Sequence, residues 1–185
     1  MIKRISLLAA LAFAACTPEP DRLALAQLDS ALELRPLVSS AMVRTVSLPT
    51  YAAAEEIAVE TGAGLIASNT EVLWADDPQR AMTIAVARNL GDILGIDAGP
   101  EPWPFLGLPD VSIDVRVERV LAYADGTFRL SGQFYVGGDG SDFRNQSRAF
   151  AISKPMPDLS LPSIATAQAE AVLTLSEEIA KTIGR

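Results

Sequence analysis

Chemistry in a protein starts from side chains able to act as nucleophile, base or metal ligand, and this sequence has few of them. Its 185 residues include no histidine and one cysteine, Cys16. Without histidine there is no Ser-His-Asp or Cys-His relay, and a lone thiol supplies no zinc site of the usual His and Cys type. Carboxylates remain. Asp76-Asp77 and Asp139-Gly-Ser-Asp142 are the two tight acidic pairs. The second sits in GGDGSDF, which resembles a hairpin turn more than the longer, regularly spaced loop that binds calcium. The first precedes a proline and an amphipathic run, where aspartates serve the positive end of a helix. The residue types point away from an enzyme, and neither a metal nor a cofactor is expected.

The chemistry at Cys16 is of another kind. Lys3 and Arg4 precede an apolar run over residues 5–13, broken only by Ser6, and Ala14 and Ala15 follow. That three-part form is a secretory signal, too short to cross a bilayer, which takes about 20 apolar residues. With the cysteine directly after it, the segment resembles a bacterial lipobox, with Phe13 where leucine is usual. The resemblance implies cleavage after Ala15 and palmitate-type acylation of Cys16 on sulfur and on the new amine. The alternative is an ordinary signal that leaves a stray thiol. Two or three acyl chains hold a protein firmly at a membrane, where one holds it marginally. The expected organisation is a signal over residues 1–15, an acylated cysteine with a flexible tether over 16–22, and one domain over 23–185.

Composition bounds the domain. Hydrophobic residues make up 49% of the chain and mean hydropathy is +0.24, enough for a true core. Without Lys3 and Arg4, the 15 basic residues become 13 against 23 acidic ones. This acidity argues against nucleic acid, whose phosphates call for lysine and arginine, and against a polybasic grip on anionic lipid. With one cysteine there is no intrachain disulfide, so the core alone must stabilise the domain.

The elements follow from periodicity. Leucines at 23, 25 and 28 suggest a first strand over residues 22–29, and residues 30–41 read as loop. Residues 43–48 alternate as a strand ended by Pro49. Residues 57–60, 65–67 and 71–74 read as short strands separated by turn residues at Gly62, Gly64 and Asn69. Asp77-Pro78 opens a helix that Gly95 closes, with Met82, Val86, Leu90, Ile93 and Leu94 on one face and Arg80 and Arg88 mostly off it. The proline-rich residues 99–109 cannot be helical. Residues 111–120 alternate as a strand with one wet face and a bulge at Val120-Leu121. A hairpin at Ala124-Asp125-Gly126 leads to a return strand over 127–136, a second turn over 137–141, and a third strand over 144–153. Prolines 155, 157 and 162 mark a loop, and an amphipathic helix over 163–183 closes the chain. The expected fold class is α+β: a single domain with an antiparallel or mixed sheet and two main helices packed on one face.

Several segments occur in a telling order: Leu48-Pro49-Thr-Tyr51 after a strand, Trp74-Ala75 before the first helix, and Asn89-Leu90 near that helix's end. In this order they resemble the ABC-type transport auxiliary lipoproteins of the PqiC (paraquat-inducible protein C) type, over nearly all of residues 22–183. Leu73 stands where that family often has arginine, and Phe134 where it tends to have tryptophan. The resemblance implies a non-catalytic lipoprotein that accompanies an ABC permease and a membrane-anchored MCE (mammalian cell entry) protein in moving lipids between membranes. It implies an outer-membrane anchor facing the periplasm, and Thr17 after the cysteine fits that sorting. A closed homo-oligomer would match a symmetric MCE ring. The candidate interface residues are Trp103, Trp74, Tyr51, Arg80 and Arg88, with core packing as the competing role for Trp103, Trp74 and Tyr51 and a solvated position as the competing role for Arg80 and Arg88. Asn89 reads as a cap for a neighbouring loop. The competing functions are a structural lipoprotein of envelope assembly and a ligand-binding lipoprotein of an ABC importer.

Overall fold

The structure is a computed structural model that describes residues 19–138 and 143–185. The signal, Cys16 and the acidic pair Asp139 and Asp142 lie outside the described residues. The elements run β1 (Asp21–Leu23), β2 (Ser40–Val43), α1 (Thr50–Ala53), β3 (Glu56–Gly62), β4 (Leu65–Trp74), α2 (Pro78–Leu94), β5 (Asp97–Pro100), β6 (Val111–Tyr123), β7 (Thr127–Gly138), β8 (Gln146–Pro155) and α3 (Leu161–Ile183). They form one mixed eight-stranded sheet with helices, the α+β class that the periodicity implies.

Strand β6 is the hub. Val111, Ile113, Val115 and Val117 are buried while Arg116 and Glu118 are exposed, so one face meets the core and the other water. The alternation inverts at a register shift between Val117 and Arg119, slightly earlier than the expected Val120-Leu121, after which Val120 and Ala122 face the core. One edge of β6 carries β7 and then β8 as an antiparallel meander. The other edge is shared end to end. β2 pairs parallel with Val111 to Ile113, and β3 pairs parallel with Ala122 and Tyr123.

Between these two pairings the chain keeps hold of β6. The Ser47 amide donates to Val115 and the Ser47 carbonyl accepts from Val117. The strand expected over residues 43–48 is therefore displaced: it starts at Ser40 and breaks after Val43. The cause is local, because the Val46 amide donates to Thr83 Oγ1 of α2 at 2.9 Å instead of to a strand. Three other expectations change. Only Asp21–Leu23 of the first strand forms, against β4; the leucines that follow lie on the core as an irregular strap. Residues 65–74 are one strand, in which Asn69 marks a bulge, its Oδ1 accepting from the Glu71 and Val72 amides. Residues 50–53 form a helical turn, and Asp97–Pro100 adds an edge strand beside β2.

Helix α2 keeps its expected bounds, and α3 gains two residues at its start. Asp77 accepts from the Arg80 amide at 2.7 Å, and Gly95 closes α2 in the left-handed conformation at φ 62°. Helix α3 starts at Leu161, so Pro162 lies in its first turn instead of in the loop. Asn89 does not cap a loop. Its Nδ2 donates to Ser176 Oγ at 3.2 Å, a buried polar link between α2 and α3.

The start of α3 carries an acid-sensitive cap. Asp158 accepts from the Ser160 amide and from the hydroxyls of Ser160 and Ser163. These bonds, with Ser160's hydroxyl foremost, hold its carboxyl below the ordinary aspartate value. A carboxyl with a lowered folded value stabilises the fold above its unfolded pKa of about 3.9 and loses that contribution as pH falls through the folded value. In melting curves taken from pH 7 down to pH 3, Asp158→Asn should flatten the acid limb relative to wild type. Parallel acid limbs for the two proteins would refute this role.

Candidate functional site

The expected site residues fall into three places. Trp74 and Arg88 come together. Residues 23–27 of the strap run beside the first turns of α2 and leave a cleft of about 190 Å³, lined by Leu23, Leu25, Trp74, Ile84, Arg88 and Gln168. Trp74 is buried, and its carbonyl accepts from Arg22 Nη1 at 3.0 Å, so it serves as core and as cleft wall at once. Arg88 is half-buried, not solvated as its position on the helical wheel suggests. One Nη donates to Asn89 Oδ1 at 3.1 Å, while Nε is buried without a partner. Apolar walls around one cation suit a small ligand or side chain with an apolar body and an acceptor oxygen. Arg80 stays outside, exposed and paired with Asp76 at the cleft rim.

Tyr51 has an internal role. Its hydroxyl accepts from the Val120 amide at 3.3 Å, just past the β6 register shift. A bulge leaves one amide out of the ladder, and a nearby hydroxyl satisfies it.

Trp103 lies in the crossover between β5 and β6. Its ring meets Phe105 edge-on at 4.9 Å and 62°, and its Nε1 is buried without a partner. Pro104 presses on the β5 backbone, where a Cβ added at Gly99 would lie 2.9 Å from Pro104 Cγ. With Trp103 half-buried and Pro104 set against Gly99 of β5, the following residues turn outward. Phe105 is 48% exposed, Leu108 77%, and Leu106 fully. The sequence reading singled out Trp103 and missed these three. The signal was present, since apolar residues in a proline-rich segment that forms neither helix nor strand have no regular face to pack.

Among the described residues, no group of three acidic or cysteine side chains is placed to hold a metal, and no helix is long and apolar enough to cross a membrane.

Comparison with known proteins fits this picture. No curated protein matches the sequence. Among solved structures, an uncharacterized protein superposes with a TM-score of 0.72 at 20% identity, covering 90% of this chain and 100% of its own. A Xanthomonas campestris protein of the DUF330 family gives a TM-score of 0.68 at 18% identity, over 85% of this chain and 92% of its own. At these identities the likeness is one of fold. The model of the ABC-type transport auxiliary lipoprotein component family matches residues 26–180, from the strap to the last turn of α3. With that match over most of the chain, and the mixed sheet and two long helices already described, the protein belongs to the ABC-type transport auxiliary lipoprotein component family.

Proposed function

We propose that the chain is the periplasm-facing, non-catalytic lipoprotein of an ABC/MCE-type intermembrane lipid transport system. Anchored in the outer membrane by acylated Cys16, it docks the periplasmic end of an MCE-domain protein and, through it, an ABC permease. The observation that carries this reading is the patch of Phe105, Leu106 and Leu108, held outward at the end of the sheet where β6 begins. Exposed aliphatic and aromatic side chains raised on a braced loop suit a protein partner better than solvent. A closed homo-oligomer would present several such patches to a symmetric ring and enclose a dry path for acyl chains, which no single protomer needs to supply. The small cleft beside Arg88 favours a second reading, a ligand-binding lipoprotein of an ABC importer.

The test is a pull-down of the natively acylated protein from detergent, with mass spectrometry of proteins and lipids. Wild type should recover an MCE protein. The double variant Leu106→Asp, Leu108→Asp should bind it at least about 30-fold more weakly, the loss of roughly 2 kcal/mol that marks an interface hot spot. Its melting temperature should stay at the wild-type value, because both side chains are exposed. Recovery of outer-membrane assembly proteins instead would favour a structural lipoprotein, and a co-purifying small solute would favour the importer reading.

A further inference from the structure

We propose that the β3–β4 hairpin tip is a membrane-contacting element that rests in the interface of the same phospholipid bilayer that holds the acyl anchor. The proposal relies on the acylation of Cys16 assumed in the functional reading above.

The hairpin is built unlike the rest of the sheet. β3 pairs with β6 only at Val59 and Glu60, opposite the last two residues of β6, and the hairpin continues beyond. Both faces of β4 are in solvent over residues 65–68, with Leu65 68% and Ile66 43% exposed. Residues 61–70, TGAGLIASNT, carry no charge in a chain where 21% of residues are charged. The turn satisfies itself: the Gly64 amide donates to Glu60 Oε1 at 3.1 Å, and Gly62 and Gly64 take positive φ of 111° and 78°. Such a tip reads as a surface meant for something apolar, and its geometry relative to the anchor identifies what.

β1 runs parallel to β4, with Asp21 beside Val72, so the chain upstream of Asp21 leads from β1 toward the hairpin tip. The bulge at Asn69 adds residues to β4 without adding length, so the span to the tip is set by Ile57 to Gly62 of β3. Five residue steps of strand rise about 17 Å. From Cys16 to Asp21 is also five steps, with a reach of at most about 18 Å. Fully stretched, the tether only draws level with the tip, and any slack leaves the tip deeper than the anchor point. With the hairpin axis directed at the bilayer, a cysteine held at the surface by its acyl chains puts Leu65 and Ile66 at the same surface, and that orientation is the one the proposal assigns. The patch at Phe105, Leu106 and Leu108, at the opposite end of β6, is left facing away from that bilayer. A second copy of the chain is the competing occupant. The carboxylates of Glu60 and Glu71, which flank the neutral span, repel a second hairpin laid alongside.

The test uses the full, natively acylated chain. Cys16 is the only cysteine, and acylation consumes its thiol, so an introduced thiol is the only one to react. Leu65→Cys and, as control, Leu106→Cys are labelled with an environment-sensitive fluorophore and reconstituted in phosphatidylethanolamine/phosphatidylglycerol vesicles. The label at position 65 should shift to the blue and lose about half its emission to lipids spin-labelled near the headgroup, as expected for burial roughly 5–10 Å into the interface. The label at position 106 should do neither. An unquenched label at position 65 on protein that floats with the vesicles overturns the proposal while leaving the anchor intact. Disulfide-linked dimers of the unlabelled Leu65→Cys protein in the same vesicles under an oxidant, with the labelled protein unquenched, would assign the tip to a second copy and overturn it as well. If the unsubstituted protein reacts at Cys16 or fails to float, the anchor reading falls and this proposal with it.

Discussion

Gly132→Ala is expected to unfold the protein or to lower its melting temperature by at least about 10 °C. Gly132 lies in the middle of β7, opposite Val117 at the β6 register shift. A Cβ there would stand 2.1 Å from the Arg116 carbonyl oxygen and 2.9 Å from Val117 Cα. Both obstacles are backbone, so no side-chain rotation relieves them, and the hub strand itself would have to move. Displacing a central strand belongs with the rare substitutions that cost more than about 4 kcal/mol, against a total stability of about 5–15 kcal/mol for a typical domain. Thermal unfolding followed by circular dichroism decides the matter. A variant that melts within a degree or two of wild type would mean that β6 and β7 can separate at this point at little cost.

The second large effect is expected at Phe134→Ala. Phe134 is 1% exposed on the core face of β7 and stacks on Phe150 of β8, with ring centres 6.4 Å apart and planes 27° apart. Truncating a buried phenylalanine removes its transfer free energy and leaves a cavity, together about 3–5 kcal/mol. For a domain of this size that corresponds to a fall in Tm of roughly 10–15 °C. Arg116→Ala serves as the matched control on the opposite face. Arg116 is exposed, lies over the Tyr135 ring at 5.0 Å and pairs with Asp114 at 2.8 Å, contacts that solvent screens. It should change Tm by no more than a degree or two. Comparable losses at the two positions would contradict a sheet with one buried and one wet face.

What could be read from the sequence was whatever is decided locally. Asp77-Pro78 and Gly95 bound α2 because a cap, a proline in the first turn and a left-handed glycine act within a few residues. The β6–β7–β8 meander was legible for the same reason, since its turns sit between alternating runs. β5 was not, and β1 and β2 were expected with the wrong bounds, because each exists through a partner far along the chain: Asp21 through Val72, Ala41 through Val111, and Asp97 through Ser40. A strand of three or four residues carries too little periodicity to announce itself. The site divides in the same way. Trp103 stood out by its type between two prolines, whereas Arg88 was placed off the apolar stripe because a helical wheel cannot show that residues 23–27 run beside it. Tyr51 carried no local sign of the amide it satisfies, which belongs to a strand 69 residues away.

The shared edge of β6 also imposes an order in time. The β6–β7–β8 meander closes through turns of a few residues and can form within microseconds to milliseconds. β2 and β3 must instead come back to β6 across 50 residues and more of intervening chain, and that loop-closure entropy is met before their pairing returns anything. The meander is thus the early scaffold, and both halves of the opposite edge arrive on it late. During that interval β6 presents a long, apolar, unpaired edge, a surface that any other extended chain could pair with, so the late strands also protect the chain from association.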